Sequence, residues 1–105
     1  MSIRDAVAAL TRGTNQEKTH AANTLRTLAR DATNKAAIRE AGGIPPLVTL
    51  VSSGTDEQKT HAAYALRNLA LDATNSAAIR EAGGIPPLVT LVSSGTDGQK
   101  TDAAG

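Results

Sequence analysis

The chain has 105 residues, the size of one domain, with 11 basic against 10 acidic residues and a formal net charge of +1. That balance gives no electrostatic case for nucleic acid or an anionic membrane surface. No cysteine is present, which excludes disulfides, thiolate metal sites and thiol nucleophiles and fits an intracellular protein, cytoplasmic or nuclear.

Tyr64 is the sole aromatic residue, so any core must be built from Ala, Leu, Val and Ile. Such a core buries less area per residue but lets helices approach closely, which suits stacked helices. The longest mostly apolar stretch, residues 44–51, is far short of the roughly 20 residues that span a membrane. The N-terminus shows no basic-then-apolar leader pattern.

In chain order, Ser2-Ile3-Arg4-Asp5 opens a helix with a capping-box pattern, and Ile3, Val7 and Leu10 face inward. Thr14-x-x-Glu17 opens a longer helix over residues 15–32, with Ala21, Ala22, Leu25, Leu28, Ala29 and Ala32 on its buried stripe. A short helix is expected over 34–41, with Asn34 as N-cap and Gly42 as the left-handed C-terminal residue. The next runs over 45–53. Pro45 and Pro46 sit in its first turn, Leu47, Val48, Leu50 and Val51 are its apolar residues, and Gly54 stops it.

The same order then repeats. Thr55-x-x-Gln58 opens a long helix over 56–73 with Ala62, Ala63, Leu66, Leu69, Ala70 and Ala73 buried. Asn75 caps a short helix over 75–82, Gly83 ends it, and an apolar helix follows over 86–94. A last, truncated helix has Gly98 and Gly105 where Glu57 and Tyr64 stood, which weakens it. No segment has strand alternation, so the fold class is all-α.

The unit is 41 residues long. AGGIPPLVTLVSSGT occurs at 41–55 and again at 82–96, and residues 14–54 differ from 55–95 only at positions 15, 16, 17, 23, 24, 27, 30 and 35. The single domain, 1–105, thus divides into a partial repeat 1–33 with second and third helices, a full repeat 34–74 and a partial repeat 75–105. Arg4 and Asp5 replace the two prolines, which makes the first helix a polar variant suited to capping.

Four of the eight differences, at 16, 23, 27 and 30, project onto one helix face. Their counterparts are Glu57, Tyr64, Asn68 and Leu71, opposite the Ala/Leu stripe. Fixed polar pairs such as Lys18/Lys59, Arg26/Arg67, Arg39/Arg80 and Glu40/Glu81 argue that this face varied for a reason other than drift. Differences at 15, 17, 24 and 35 lie off it.

His20 and His61 stand one repeat apart on equivalent helices. A metal or catalytic role needs further ligands or an orienting partner, and only Asp102 at the third equivalent position hints at one, so they read as polar groove residues. Gly42-Gly43 and Gly83-Gly84 lack any phosphate-loop continuation. The repeated Lys18, Lys59, Lys100, Arg26 and Arg67 could face phosphates, but interspersed acids and missing stacking aromatics argue against nucleic acid. No metal, cofactor or catalytic group is expected.

GGIPPLV, the polar SSGT turn, AAYALRNLA and then N-x-A-A-I-x-E-A-G resemble the armadillo repeat, in the same order, over nearly the whole chain from Ile3. The resemblance implies a right-handed α-solenoid of three-helix units, whose third helices line a concave groove for an extended peptide or protein partner. It also implies that Asn68, in ALRNLA, clamps a ligand backbone, and that Tyr64 stands where a pocket-forming aromatic belongs. The other copy departs, with Thr27 and Asn23 at those places. The expected groove residues are therefore Glu57, His61, Tyr64, Asn68 and Leu71, followed by His20, Asn23, Thr27 and Arg30.

The alternative is self-association without a dedicated ligand. Leu88, Val89, Leu91 and Val92 lose most of the helix that should cover them. Covering a few hundred Å² at roughly 25 cal/mol per Å² is worth several kcal/mol, so a homo-oligomer, two-fold or head-to-tail, is expected through that end.

Overall fold

The computed structural model describes residues 1–84. Six helices follow one another: α1 (Ile3–Arg12), α2 (Asn15–Leu28), α3 (Ala32–Glu40), α4 (Ile44–Ser53), α5 (Asp56–Leu69) and α6 (Ala73–Glu81). Among the described residues there is no strand. The helix expected over 86–94, the truncated helix after it, and Leu88, Val89, Leu91 and Val92 lie outside the described residues.

Two of the three expected capping boxes form, those at Thr14 and Thr55; at Ser2 only the half in which the hydroxyl accepts an amide is made. The Thr14 hydroxyl accepts the Glu17 amide while the Glu17 carboxylate accepts the Thr14 amide, and Thr55 and Gln58 do the same. Ser2 caps α1 by accepting from the Asp5 amide. Gly42 and Gly83 take φ of 81° and 78°, the left-handed conformation that glycine adopts without a Cβ penalty.

The glycine after each of these has a different job. A Cβ on Gly43 would stand 2.8 Å from Ile38 Cγ2 and 3.2 Å from Val7 Cγ2; one on Gly84 would stand 2.6 Å from Ile79 Cγ2 and 3.2 Å from Val48 Cγ2. Val7 is to Gly43 as Val48 is to Gly84, one unit apart, so α1 does occupy the place of a second helix.

The boundary between the long and short helices differs from the sequence expectation. The long helices end at Leu28 and Leu69, and the short ones begin at Ala32 and Ala73, so the N-caps are Asp31 and Asp72, not Asn34 and Asn75. Asp31 accepts from the Thr33 amide at 2.9 Å and the Asn34 amide at 3.3 Å; Asp72 accepts from the Thr74 amide at 3.0 Å. A carboxylate aimed at free helix amides ends the ambiguity that the Ala-rich junction leaves. In consequence Ala32 and Ala73 are exposed at the first position of the short helices rather than part of the buried stripe.

The core holds Ala6, Leu10, Ala21, Ala22, Leu25, Ile38, Leu47, Leu50, Ala62, Ala63, Leu66 and Leu69, with Ile3, Val7 and Leu28 packed at its edge. Ala65 also joins it, and α2 against α5 is the most extensive contact between helices. Ala29 is buried, whereas its expected counterpart Ala70 is exposed. The long helix α5 stacks on the repeat that holds Ala29; no described long helix stacks on that of Ala70.

Polar side chains fix the stacking. Asn75 has 0% exposure; its Nδ2 donates to Lys35 O at 3.3 Å and its Oδ1 accepts from Arg39 Nη1 at 2.7 Å. Arg39 also pairs with Asp72 at 3.4 Å. Gln58, 2% exposed, donates from Nε2 to Asn15 O at 3.0 Å and to Thr19 Oγ1 at 3.3 Å. All of these except the Arg39–Asp72 pair join one repeat to the next.

Asn34 and Asn75 are the same residue at equivalent places, but only Asn75 holds these partners. Asn75→Ala should cost about 1–3 kcal/mol by leaving a half-buried arginine and a main-chain carbonyl underserved, and Asn34→Ala well under 1 kcal/mol. Urea melts of the two variants decide it; equal losses would contradict the inter-repeat role.

Glu17 gives the pH dependence. The hydrogen bond from the Thr14 amide, then that with the Thr14 hydroxyl, holds its carboxyl below the ordinary carboxylate value. Its contribution to stability is complete above the unfolded-state value and is lost as pH falls through the lowered folded value. A carbon NMR titration should give Glu17 a depressed midpoint, and Glu17→Gln, which copies Gln58, should flatten the acid side of the stability profile. An undepressed midpoint would rule the capping box out in solution.

Candidate functional site

The two long helices lie side by side, and their first halves bound an open cleft of about 730 Å³. Its walls are Asn15, Gln16, Thr19, His20 and Asn23 from α2, and Thr55, Asp56, Glu57 and His61 from the α5 side. The capping boxes set where each wall begins, and the 3.6-residue repeat brings Gln16, His20 and Asn23 to one side of α2 and Glu57 and His61 to one side of α5.

Of the expected groove residues, His20, Asn23, Glu57 and His61 thus meet in one cleft. Thr27, Tyr64 and Asn68 continue the same helix faces toward their C-terminal ends, outside the cleft lining. Arg30 and Leu71 fall beyond the helices, in the turns that follow them. Both are exposed, Leu71 at 75%.

The second copy of this face is tied to the first. Arg26 Nη1 lies 3.1 Å from His61 Nδ1; a guanidinium only donates, so the imidazole nitrogen accepts. The Arg26 guanidinium carbon sits 3.9 Å from the Tyr64 ring centroid, and that of Arg67 sits 4.9 Å from the same ring. Asn68 Nδ2 donates to Arg26 O at 3.3 Å, one of the carbonyls left over in the last turn of α2. His61 Nε2 and Glu57 Oε1 are 3.7 Å apart, with Glu57 mostly exposed.

These contacts change the meaning of the fixed and varied positions. Arg26 and Arg39 each bind side chains of the elements stacked on them, so neither belongs to a bare exposed surface. Tyr64 and Asn68 differ from Asn23 and Thr27 where a preceding repeat is present to be held. The signal for Arg26 was its recurrence at Arg67, beside an aromatic three residues before the latter. Nothing in a single helix revealed that it would reach across to the next.

No three His, Cys, Asp or Glu side chains among the described residues converge to hold a metal ion. No helix among them is long and apolar enough to cross a membrane.

Residues 31–71 match the family model described as Armadillo/beta-catenin-like repeat. That span begins at Asp31, the N-cap of α3, and so takes in α3, α4 and α5. No curated protein matches the chain. Among solved structures, an engineered protein is 34% identical, with a TM-score of 0.91 over 99% of this chain and 43% of its own. A computationally designed armadillo repeat protein for modular peptide recognition is 26% identical, with a TM-score of 0.91 over 97% of this chain and 44% of its own. A designed armadillo repeat protein in complex with the peptide (KR)4 is 26% identical, with a TM-score of 0.89 over 98% of this chain and 44% of its own. The chain spans less than half the length of each of these proteins. Three helices per unit, the glycine pair before α4 and the matched span lead to one conclusion: residues 31–71 match the armadillo repeat, and the chain has the fold of the armadillo repeat proteins.

Proposed function

We propose that this chain is a non-enzymatic scaffold that binds an extended peptide or a protein segment along the concave face of its solenoid, lined by α2 and α5. The observation that carries this reading is the continuous strip formed by the cleft between these helices and the Tyr64 and Asn68 positions beyond it. A peptide-binding use of the same fold by the designed neighbours supports it. Polar cleft walls supply hydrogen bonds, Tyr64 supplies a flat aromatic surface, and exposed Leu71 supplies an apolar contact at the far end.

A screen against an extended-peptide library, repeated with Tyr64→Ala and Asn68→Ala, tests this. Each change should weaken binding of a selected peptide about tenfold, the effect of losing roughly 1.4 kcal/mol. Thermal melts run beside it separate that loss from the inter-repeat bond that Asn68 also makes. A peptide whose affinity neither change alters would place the site elsewhere.

The second reading is self-association into a homo-oligomer through the apolar residues Leu88, Val89, Leu91 and Val92. Exposure of Ala70 and of Leu71 at the last described repeat favours it. Sedimentation at micromolar concentration should then show mass rising with concentration. A constant monomer mass rejects this reading and leaves the scaffold reading standing.

A further inference from the structure

The geometry points to the Arg26–Tyr64–Arg67 cluster as a carboxylate-reading subsite, so that the partner is an extended acidic peptide. This rests on the scaffold reading and specifies the chemistry of its ligand.

Two guanidinium groups share one ring, at 3.9 and 4.9 Å from its centroid. An aromatic face already holding two cations offers little to a lysine or arginine of a ligand, which would also meet their charge. Among the described residues the ion pairs are Arg39 with Asp72 and His61 with Glu57, and neither Arg26 nor Arg67 reaches a carboxylate. Asp31 is turned to the amides of Thr33 and Asn34, and Asp72 to Thr74 and Arg39. Both arginines stand in the last turn of their helices, where each helix end supplies roughly half a negative charge. That offsets about half of the pair's charge and leaves the cluster cationic.

The groups are also held in place. Arg26 spends one donor on His61 Nδ1 and lies over the Tyr64 ring, so its remaining N–H groups need little further ordering to meet an anion. A planar guanidinium presents paired donors that match the two oxygens of a carboxylate. At the opposite end of the strip, Asp56 and Glu57 stand in the first turn of α5. Glu57, mostly exposed, disfavours an anion there, which sets the register with the acidic side chain of the ligand over the arginines.

The test uses the full chain and three labelled extended peptides of equal length, alternating alanine with glutamate, glutamine or lysine, followed by fluorescence anisotropy. The glutamate peptide should bind at least about tenfold tighter than the lysine peptide at low salt, and lose that advantage as salt rises. Arg67→Ala should weaken it several-fold, Arg67→Lys should keep part of the affinity, and Arg12→Ala, the same charge change on α1, should leave it alone. If the lysine or glutamine peptide binds as tightly, the carboxylate subsite is wrong while the scaffold reading survives. If the glutamate peptide binds best but Arg67→Ala has no effect although its melt is unchanged, the cluster is not the subsite. If no peptide of any charge binds, the scaffold reading fails, and this inference with it.

Discussion

Gln58 and Asn75 are the polar side chains that the fold removes from water among the described residues, and each gives its carboxamide N–H to the repeat before it. A buried amide without a partner costs on the order of 1–3 kcal/mol. The second repeat therefore gains its full stability only when the first is present and in register. The Ala/Leu stripe cannot impose that register alone, because apolar contact is non-directional and neighbouring settings bury similar area. Hydrogen bonds to Asn15 O, Arg26 O and Lys35 O mark three separate points along α2 and α3, and one setting satisfies all three.

The poverty of aromatics is what allows this. A short asparagine reaches a neighbouring helix's main-chain carbonyl only where the helices run close. Ala21, Ala22, Ala62, Ala63 and Ala65 supply that closeness, and the glycines at 43 and 84 supply it beside Val7 and Val48. A core of larger residues would bury more area but hold the helices too far apart for these bonds. Composition, packing distance and polar stitching are in this sense one property.

How much of this was legible follows from the range of each interaction. The capping boxes at Thr14 and Thr55, the prolines of α4, and the left-handed glycines are decided within four or five residues, and the sequence places them where the structure does; at Ser2 only half of the expected box is made. The junction after Leu28 and Leu69 has no glycine or proline, and an N-cap can be Asp or Asn, so the choice of Asn34 and Asn75 fell three residues late. Asn75 was misread for a deeper reason. Its partners Lys35 and Arg39 lie one unit away, and identical Asn34 has no described repeat before it to engage. Two copies with one residue in two environments look the same in one dimension. The cleft residues fared better, since helical spacing alone brings His20 and Asn23, and Glu57 and His61, to common faces. The role of Arg26 was hidden because it belongs to the pair of repeats, not to either one.

On the proposed scaffold reading, Tyr64 and Asn68 have two kinds of partner. Within the chain they hold Arg26, by its guanidinium and by its carbonyl. A ligand lying over the same strip meets them from the open side. Asn68 has two N–H groups, of which one is committed to Arg26 O, so the remaining N–H and the carbonyl oxygen can serve a peptide backbone without breaking the stitch. Arg26 is in the same position, with one donor spent on His61 and others unspent. Contacts between repeats therefore do not compete with a ligand for these groups. They restrict the conformations the groups sample beforehand, which lowers the entropy a ligand must overcome to use them. The stacking that stabilises the solenoid and the preorganisation of the proposed binding face arise from the same few bonds.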